Sequence, residues 1–466
     1  MHSKENDIDK MMARFDMMTT TPVRRLVVKM AIPTILSMVV TGLYNLVDAY
    51  FVGRISTEAT AAVGLAFAYQ SLIQALGFGF GHGSGNYISR ALGLKDYSNA
   101  ETMASVGFFS SFICGLIIGV CSLAFLTPLS FLLGATDRML EQSNDYLLYI
   151  LIATPFMISQ AVLNNQLRLQ GNSMFAMVGL VSGAVINCAL DPLLIFVFDM
   201  GVAGASLATF LSQFFSWCIL VYGTGRGGNV HIRITKFKPS WYWYKEIIAG
   251  GLPSLLRQSL GCIAAITLNH MAKHYSVAGA EESTIAAFSV VNRIMMFAMT
   301  IFLGIGQGFQ PVCGFNWGAS MFNRVKKAYI FTMQVTTICI LVLSVVGFIF
   351  ATPIVAFFRP EDLLLISVGA KVLRYQCISF PLVGITTPTN MLYQTIRRTG
   401  PATLLAMGRQ GIFFFPIIII LPLFIGLNGV MLTMALADVG TFFLALPYCI
   451  RIIREMNLKH AQDPVQ

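Results

Sequence analysis

Long apolar runs alternate with short polar connections along almost the whole chain. A helix needs about 20 apolar residues to cross the hydrocarbon core of a bilayer. On that scale twelve runs qualify: 27–52, 57–86, 98–125, 145–169, 174–198, 202–224, 246–275, 282–315, 323–353, 366–396, 402–424 and 429–453. Several exceed the minimum, which predicts tilt or extension beyond the bilayer. The longest polar connection, GRGGNVHIRITKFKPSWYWYK (225–245), divides the spans six and six. The pattern predicts an all-α membrane protein. A segment 1–26 precedes a first lobe over 27–224; a linker 225–245 leads to a second lobe over 246–453 and a tail 454–466.

The two halves resemble each other. AIPTILSMVV (31–40) is similar to GLPSLLRQSL (251–260), and LGFGFGHGSG (76–85) to LGIGQGFQPV (303–312). LRLQGNSMFAM (167–177) is similar to IRRTGPATLLAM (396–407) once one residue is gapped. A unit with an even number of spans returns to the side it left, so the halves are expected to be parallel. Transporters use that plan, with the substrate between the halves.

Composition sharpens this. Of 466 residues, 56% are hydrophobic and 11% charged, and the mean hydropathy is +0.71. Soluble domains carry about 25% charged residues, so no soluble domain fits. The net charge of +10 raises nucleic acid as a partner, but its placement excludes that. With an inside N terminus, inside segments hold 22 of the 31 Lys and Arg and outside loops four: Arg54, Arg138, Lys273 and Arg359. That asymmetry predicts both termini in the cytoplasm, with anionic membrane lipid as the contact of the basic face. The first thirty residues show no apolar core followed by a cleavage site, so no removable signal peptide is expected. None of the nine cysteines forms CxxC, and free thiols are expected.

Acids are rare deep inside the spans: Asp48, Asp191 and Asp438, with Asp145 and Asp199 among those at span ends. A charge at membrane depth costs at least a few kcal/mol and is by default functional. Asp48 in GLYNLVDAYFVG lies about 6 Å from the outer end of span 1, and Asp191 about 10 Å from that of span 5. Both therefore occupy the outer half of the first lobe. Asn187 shares the face of Asp191, and Tyr44 and Asn45 share that of Asp48. A polar chamber follows, suited to taking and releasing a proton or to holding sodium. Asp438, in MALADVG, has equal claims to a structural role. Beyond their first residues, spans 7 to 11 hold no acid and carry Arg257, Arg293, Lys371 and Arg374 instead. Arg257 and Arg293 look deep; they are expected to neutralise carbonyls or an acid across the cleft, or to contact substrate. Pro33 in span 1 permits a bend, which protonation of Asp48 is expected to change.

LYNLVDAYFVGRIS, GNYISRALGLKDYS (85–98), LRLQGNSMFA and NCALDPLLIFVFDMGVAGASLATFLSQ (187–213) resemble the MATE family of multidrug and toxic-compound extrusion transporters, most closely its bacterial DinF-like and MepA-like branch. The resemblance implies twelve helices in a V of two six-helix lobes in the bacterial cytoplasmic (inner) membrane. It implies export of small, drug-like organic compounds, often cations, against proton or sodium entry, by a monomer without a cofactor. It implies coupling through Asp48, Asn187 and Asp191, with Tyr146, Asn164 and Thr209 lining the same cavity. The NorM-like branch couples through C-lobe acids, and none stands at spans 7, 8 or 10. Arg257 runs against a simple cationic substrate. A lipid or lipid-linked precursor flippase of the same superfamily is the alternative. A membrane-embedded enzyme would need a DDxxD, an HExxH or a serine with a base, and none occurs; His270 and His274 sit four apart without the Glu.

Overall fold

The computed structural model describes residues 2–277 and 279–462; the side chains of residues 2–8, 45, 46, 49, 57, 58, 60 and 61 lie outside the description. The first half comprises α1 (His2–Thr20), α2 (Val23–Gly53), α3 (Thr57–Gly93), α4 (Tyr97–Ala124), the short α5 (Leu126–Leu133), α6 (Leu140–Leu169), α7 (Ser173–Pro192) and α8 (Gly201–Gly223). The second comprises α9 (Trp241–His274), α10 (Glu281–Gly318), α11 (Phe322–Ile349), the short α12 (Ala351–Ala356), α13 (Leu363–Ser379), α14 (Val383–Thr395), α15 (Thr399–Met407), α16 (Phe414–Ile425) and α17 (Leu427–Gln462). Among the described residues, twelve spans are long and apolar enough to cross a membrane. Two of them, 363–395 and 399–425, are each built of two helices in tandem.

Short polar loops stop one span and start the next by capping. Asp96 accepts from the Asn99 N–H (3.2 Å), Asn172 from that of Phe175 (3.3 Å) and Asp362 from that of Leu365 (2.9 Å). Each cap satisfies one of the orphan donors of a helix start. The fifth span of each half also carries a π turn, Leu193–Val197 directly after Asp191 and Pro192, and Gly408–Ile412. Such turns displace side chains from the regular helical stripe.

The lobes meet through glycines. A Cβ at Gly83 of α3 would land on the carbonyl oxygen of Ile247 of α9, and one at Gly251 of α9 on that of Gly79. Gly304 and Gly308 of α10 receive Ile35 and Ala31 of α2. α2 and α9 begin, and α3 and α10 end, on the face that carries the described ends of the chain, so the seam lies on that side. Gly42 shares the face of Ile35 two turns further along α2, and a Cβ there would meet nothing within 4 Å. The lobes therefore splay apart beyond the seam, leaving a cleft open to the opposite face.

The seam is reinforced at its rim. Glu246 of α9 pairs with Arg397 of its own lobe and lies 3.8 Å from Arg90 of α3, which donates to the Thr395 carbonyl at 2.5 Å. The first residues of the chain take part as well. Arg14 of α1 donates to Asn229 (2.6 Å) and the Gly227 carbonyl (2.7 Å) of the linker. Asn316 and Arg324 of the second half donate to the carbonyls of Met18 and Thr21. The stretch expected as a plain leading segment is thus largely a helix docked across both halves.

Candidate functional site

Helix register inside the first lobe gathers the carboxylates. α7 and α8 run antiparallel; Gly183 packs on Ser216, and Gly179 on Leu220. Continuing that register in four-residue steps sets Asn187 level with Ser212, and Asp191 level with Ala208 and Thr209. Asp191 and Asn187 are buried, and the Asn187 amide donates to Asp191 Oδ1 at 3.2 Å. Asp48 of α2 is half-buried and within reach of the charge of Asp191. Tyr44, one turn before Asp48, lies beside Gln213 of α8 and feels both carboxylates. Tyr146 of α6 is buried beside Gln70 of α3 and feels the same pair.

Three oxygens of this chamber are buried without a hydrogen-bond partner: Asp48 Oδ1, Asn187 Oδ1 and Asp191 Oδ2. Buried acceptors are nearly always satisfied, and an unpaired one costs about 1–3 kcal/mol. Three at one place form a set of acceptors suited to a proton or a small cation. No groups of three or more His, Cys, Asp or Glu with metal-binding spacing occur among the described residues, so the oxygens here come from carboxylates and an amide.

Not every expected residue joins. Asn164 lies 18 residues from Tyr146 on α6, about 27 Å along the axis. Its amide donates to the Ala176 carbonyl at 2.8 Å, tying α6 to α7 at the seam end. The side chain of Asn45 falls outside the described residues. Pro33 lies within an unbroken α2, between Ala31 and Ile35, the two residues seated on the α10 glycines. Arg257 (α9) and Arg293 (α10) belong to the second lobe, apart from the carboxylates. Gln70 and Gln213 escaped the sequence reading, although two uncharged amides in apolar spans were a readable signal.

Asp438 is engaged elsewhere. Arg409, carried on the π turn of the eleventh span, places Nε 2.6 Å from Asp438 Oδ1, and Ser379 donates to Oδ2 at 3.1 Å. The structural side of the two readings of Asp438 is the one with contacts. Removing one partner of a buried pair strands the other charge and costs about 3–5 kcal/mol. Asp438→Ala is therefore expected to lower the melting temperature in detergent sharply, and adding Arg409→Met to recover most of it. A single variant that melts like the parent would show that the pair carries no stability.

Comparison with known proteins follows this geometry. The MatE family pattern matches residues 33–193 and 253–436, most of the chain. The chain belongs to the MATE family. The match begins at Pro33 in one half and at Pro253 in the other, the two positions paired by the internal repeat. The multidrug export protein MepA of Staphylococcus haemolyticus is 28% identical over 422 residues, covering 89% of this chain and 91% of that protein. A MATE crystallised in complex with MaL6 superposes with a TM-score of 0.88 at 25% identity, over 95% of this chain and 98% of the other. An outward-facing multidrug resistance MATE transporter of the MOP superfamily gives 0.87 at 26% identity, over 94% and 98%. The twelve-helix architecture of this MATE protein is thus a transporter fold, in a family of transporters and not of enzymes.

Proposed function

We propose that this MATE protein is a secondary active exporter of small organic compounds, driven by proton or sodium entry and working by alternating access. The observation that carries the reading is the set of three unpartnered oxygens on Asp48, Asn187 and Asp191, enclosed in one lobe of a transporter fold. Such acceptors bind a cation and give it up when their surroundings change. Tyr44, Tyr146 and Thr209 are the polar walls of that station. The export names of the curated relatives point the same way.

The distribution of Lys and Arg supports a seam face on the cytoplasmic side of a bacterial membrane and a cleft that opens outward. In this state Asp48 and Asp191 take a cation from outside and substrate leaves. Closure of the outer ends and parting of the glycine seam then expose the same station inward, where the cation leaves and a new substrate enters. Pro33 stands where α2 must part from α10, and its missing N–H frees one backbone carbonyl for that bend. The unit of function is a single chain in lipid, without cofactor.

Reconstituted liposomes test this. A dye of either charge, ethidium or fluorescein, added to vesicles holding a pH gradient is expected to collapse it, or a sodium gradient to drive movement of that dye where the pH gradient does not. Movement that is indifferent to both gradients would remove antiport.

A further inference from the structure

Asp48 and Asp191 face the interior of the first lobe, whereas Arg257 and Arg293 face the cleft. Asp48 is 13 residues beyond Ile35, more than half a turn off the stripe of α2 that meets α10. It therefore points away from the cleft. Arg257 is two turns beyond Gly250 on the stripe of α9 that packs on α3, and its neighbour Gln258 bridges the lobes to Gln74 at 3.2 Å. That places Arg257 at the floor of the cleft, where its guanidinium donates to Asn390 Oδ1 at 3.2 Å. Arg293 lies three turns before Gly304 on the stripe of α10 that meets α2, opposite the buried face formed by Phe288, Val291 and Met295. It is exposed, as is Phe297 one turn below it on the same stripe.

Beneath them, Arg168 is 2% exposed and is held only by neutral groups: the Gln307 carbonyl (2.9 Å), Asn165 Oδ1 (2.5 Å), Gln310 Oε1 (3.5 Å) and His82 (3.2 Å). Among the described residues no carboxylate lies at ion-pair distance from Arg168, Arg257 or Arg293. The described carboxylate pairs of the second lobe are Glu246 with Arg90 and Arg397, Glu455 with Arg398 and Lys459, and Asp438 with Arg409. Two guanidinium charges, Arg257 and Arg293, thus line a partly desolvated cleft, with a third, Arg168, buried beneath it, and none has a matching acid among the described residues. A guanidinium fork fits carboxylate, sulfonate and phosphate oxygens bidentately, and a low-dielectric cleft strengthens the attraction.

We infer that the cleft takes amphiphiles bearing an anionic group, the head on Arg257 and Arg293 and an aromatic body along Phe297, while the first-lobe acids serve the coupling cation alone. This rests on the exporter reading but names the substrate class by charge. Fluorescein and rhodamine 123 share a ring frame and differ in sign, so fluorescence anisotropy with the detergent-purified full chain isolates the charge. Fluorescein is expected to bind about tenfold more tightly than rhodamine 123, Arg257→Gln to lose about that factor, and Arg257→Lys, which keeps the charge without the fork, to lose less than Arg257→Gln. Melting temperatures within error of the parent's identify the loss as one of binding.

Equal binding of the two dyes, or fluorescein binding untouched by Arg257→Gln with Arg293→Gln, would overturn the inference. Binding needs no gradient, so the two readings fail separately. Fluorescein that binds but moves under no gradient would overturn antiport and leave the anionic site standing. Gradient-driven movement of rhodamine 123 with no binding of fluorescein would overturn the anionic site alone.

Discussion

Replacing Asp191 with Asn is expected to abolish gradient-driven transport while leaving the protein as stable as the parent, or more so. The amide has the shape of the carboxyl group but neither takes up a proton nor offers sodium a charge. Asp191 is fully buried, one of its oxygens has no partner, and the other is held by Asn187. Removing an unsatisfied buried charge relieves a desolvation cost, so the stability change has the opposite sign to that of losing an ordinary core contact. Coupling between two ligands is typically worth about 1–3 kcal/mol, or about 5–150-fold, and the whole of it is at stake here. Asp48→Asn is expected to act in the same direction and less completely, because Asp48 is only half-buried. The measurement is substrate flux in liposomes under separate proton and sodium gradients, with melting curves alongside. Parental flux in Asp191→Asn under both gradients would remove the carboxylate from the mechanism.

The second large effect is expected at the glycine seam. In Gly251→Val the new Cβ falls on the Gly79 carbonyl, and in Gly83→Val on the Ile247 carbonyl. Both obstacles are backbone, so no rotamer change relieves them and α3 must move away from α9. Overpacking of this kind costs about 1–3 kcal/mol, which shifts the ratio of parted to closed seam by about 5–150-fold at tenfold per 1.4 kcal/mol. Cys313 reports it from within. It is buried in α10 beside Gly314, whose own Cβ would meet the side chain of Ser89 across the seam. Maleimide labelling of Cys313, read by mass spectrometry of its peptide, is expected to rise by that factor as transport falls. Gly64→Val is the control, since a Cβ there meets nothing within 4 Å. Equal Cys313 labelling in parent and seam variants would mean that closure does not depend on these glycines.

The amino-acid pattern by itself determined that this chain crosses a membrane twelve times and that its halves repeat. Bilayer thickness sets the length of an apolar run, and a repeat leaves its mark wherever residues recur in order, as at Pro33 and Pro253. It also singled out Asp48, Asn187 and Asp191, because a carboxylate among apolar residues is costly enough to be conspicuous in one dimension. Helical spacing put Asn187 beside Asp191 and Tyr44 beside Asp48, since neighbours on a helix face are three or four residues apart.

What only the tertiary structure decided are pairings across helices, for which no local spacing exists. Asp438 meets Arg409 because a π turn in one span swings that arginine toward another. Asn164 shares a helix with Tyr146 yet sits about five turns away, bound to Ala176. Gln70 and Gln213 reach the two tyrosines only because α3 and α8 pack beside α6 and α2. α1 looked like a leading segment because its contacts are with residues some 200 to 300 positions away: Asn229 and Asn316. The closure of the lobes was equally hidden. A glycine in an apolar run reads as a weak helix former, and only the packed structure shows that Gly79, Gly83 and Gly251 are where two lobes touch backbone to backbone.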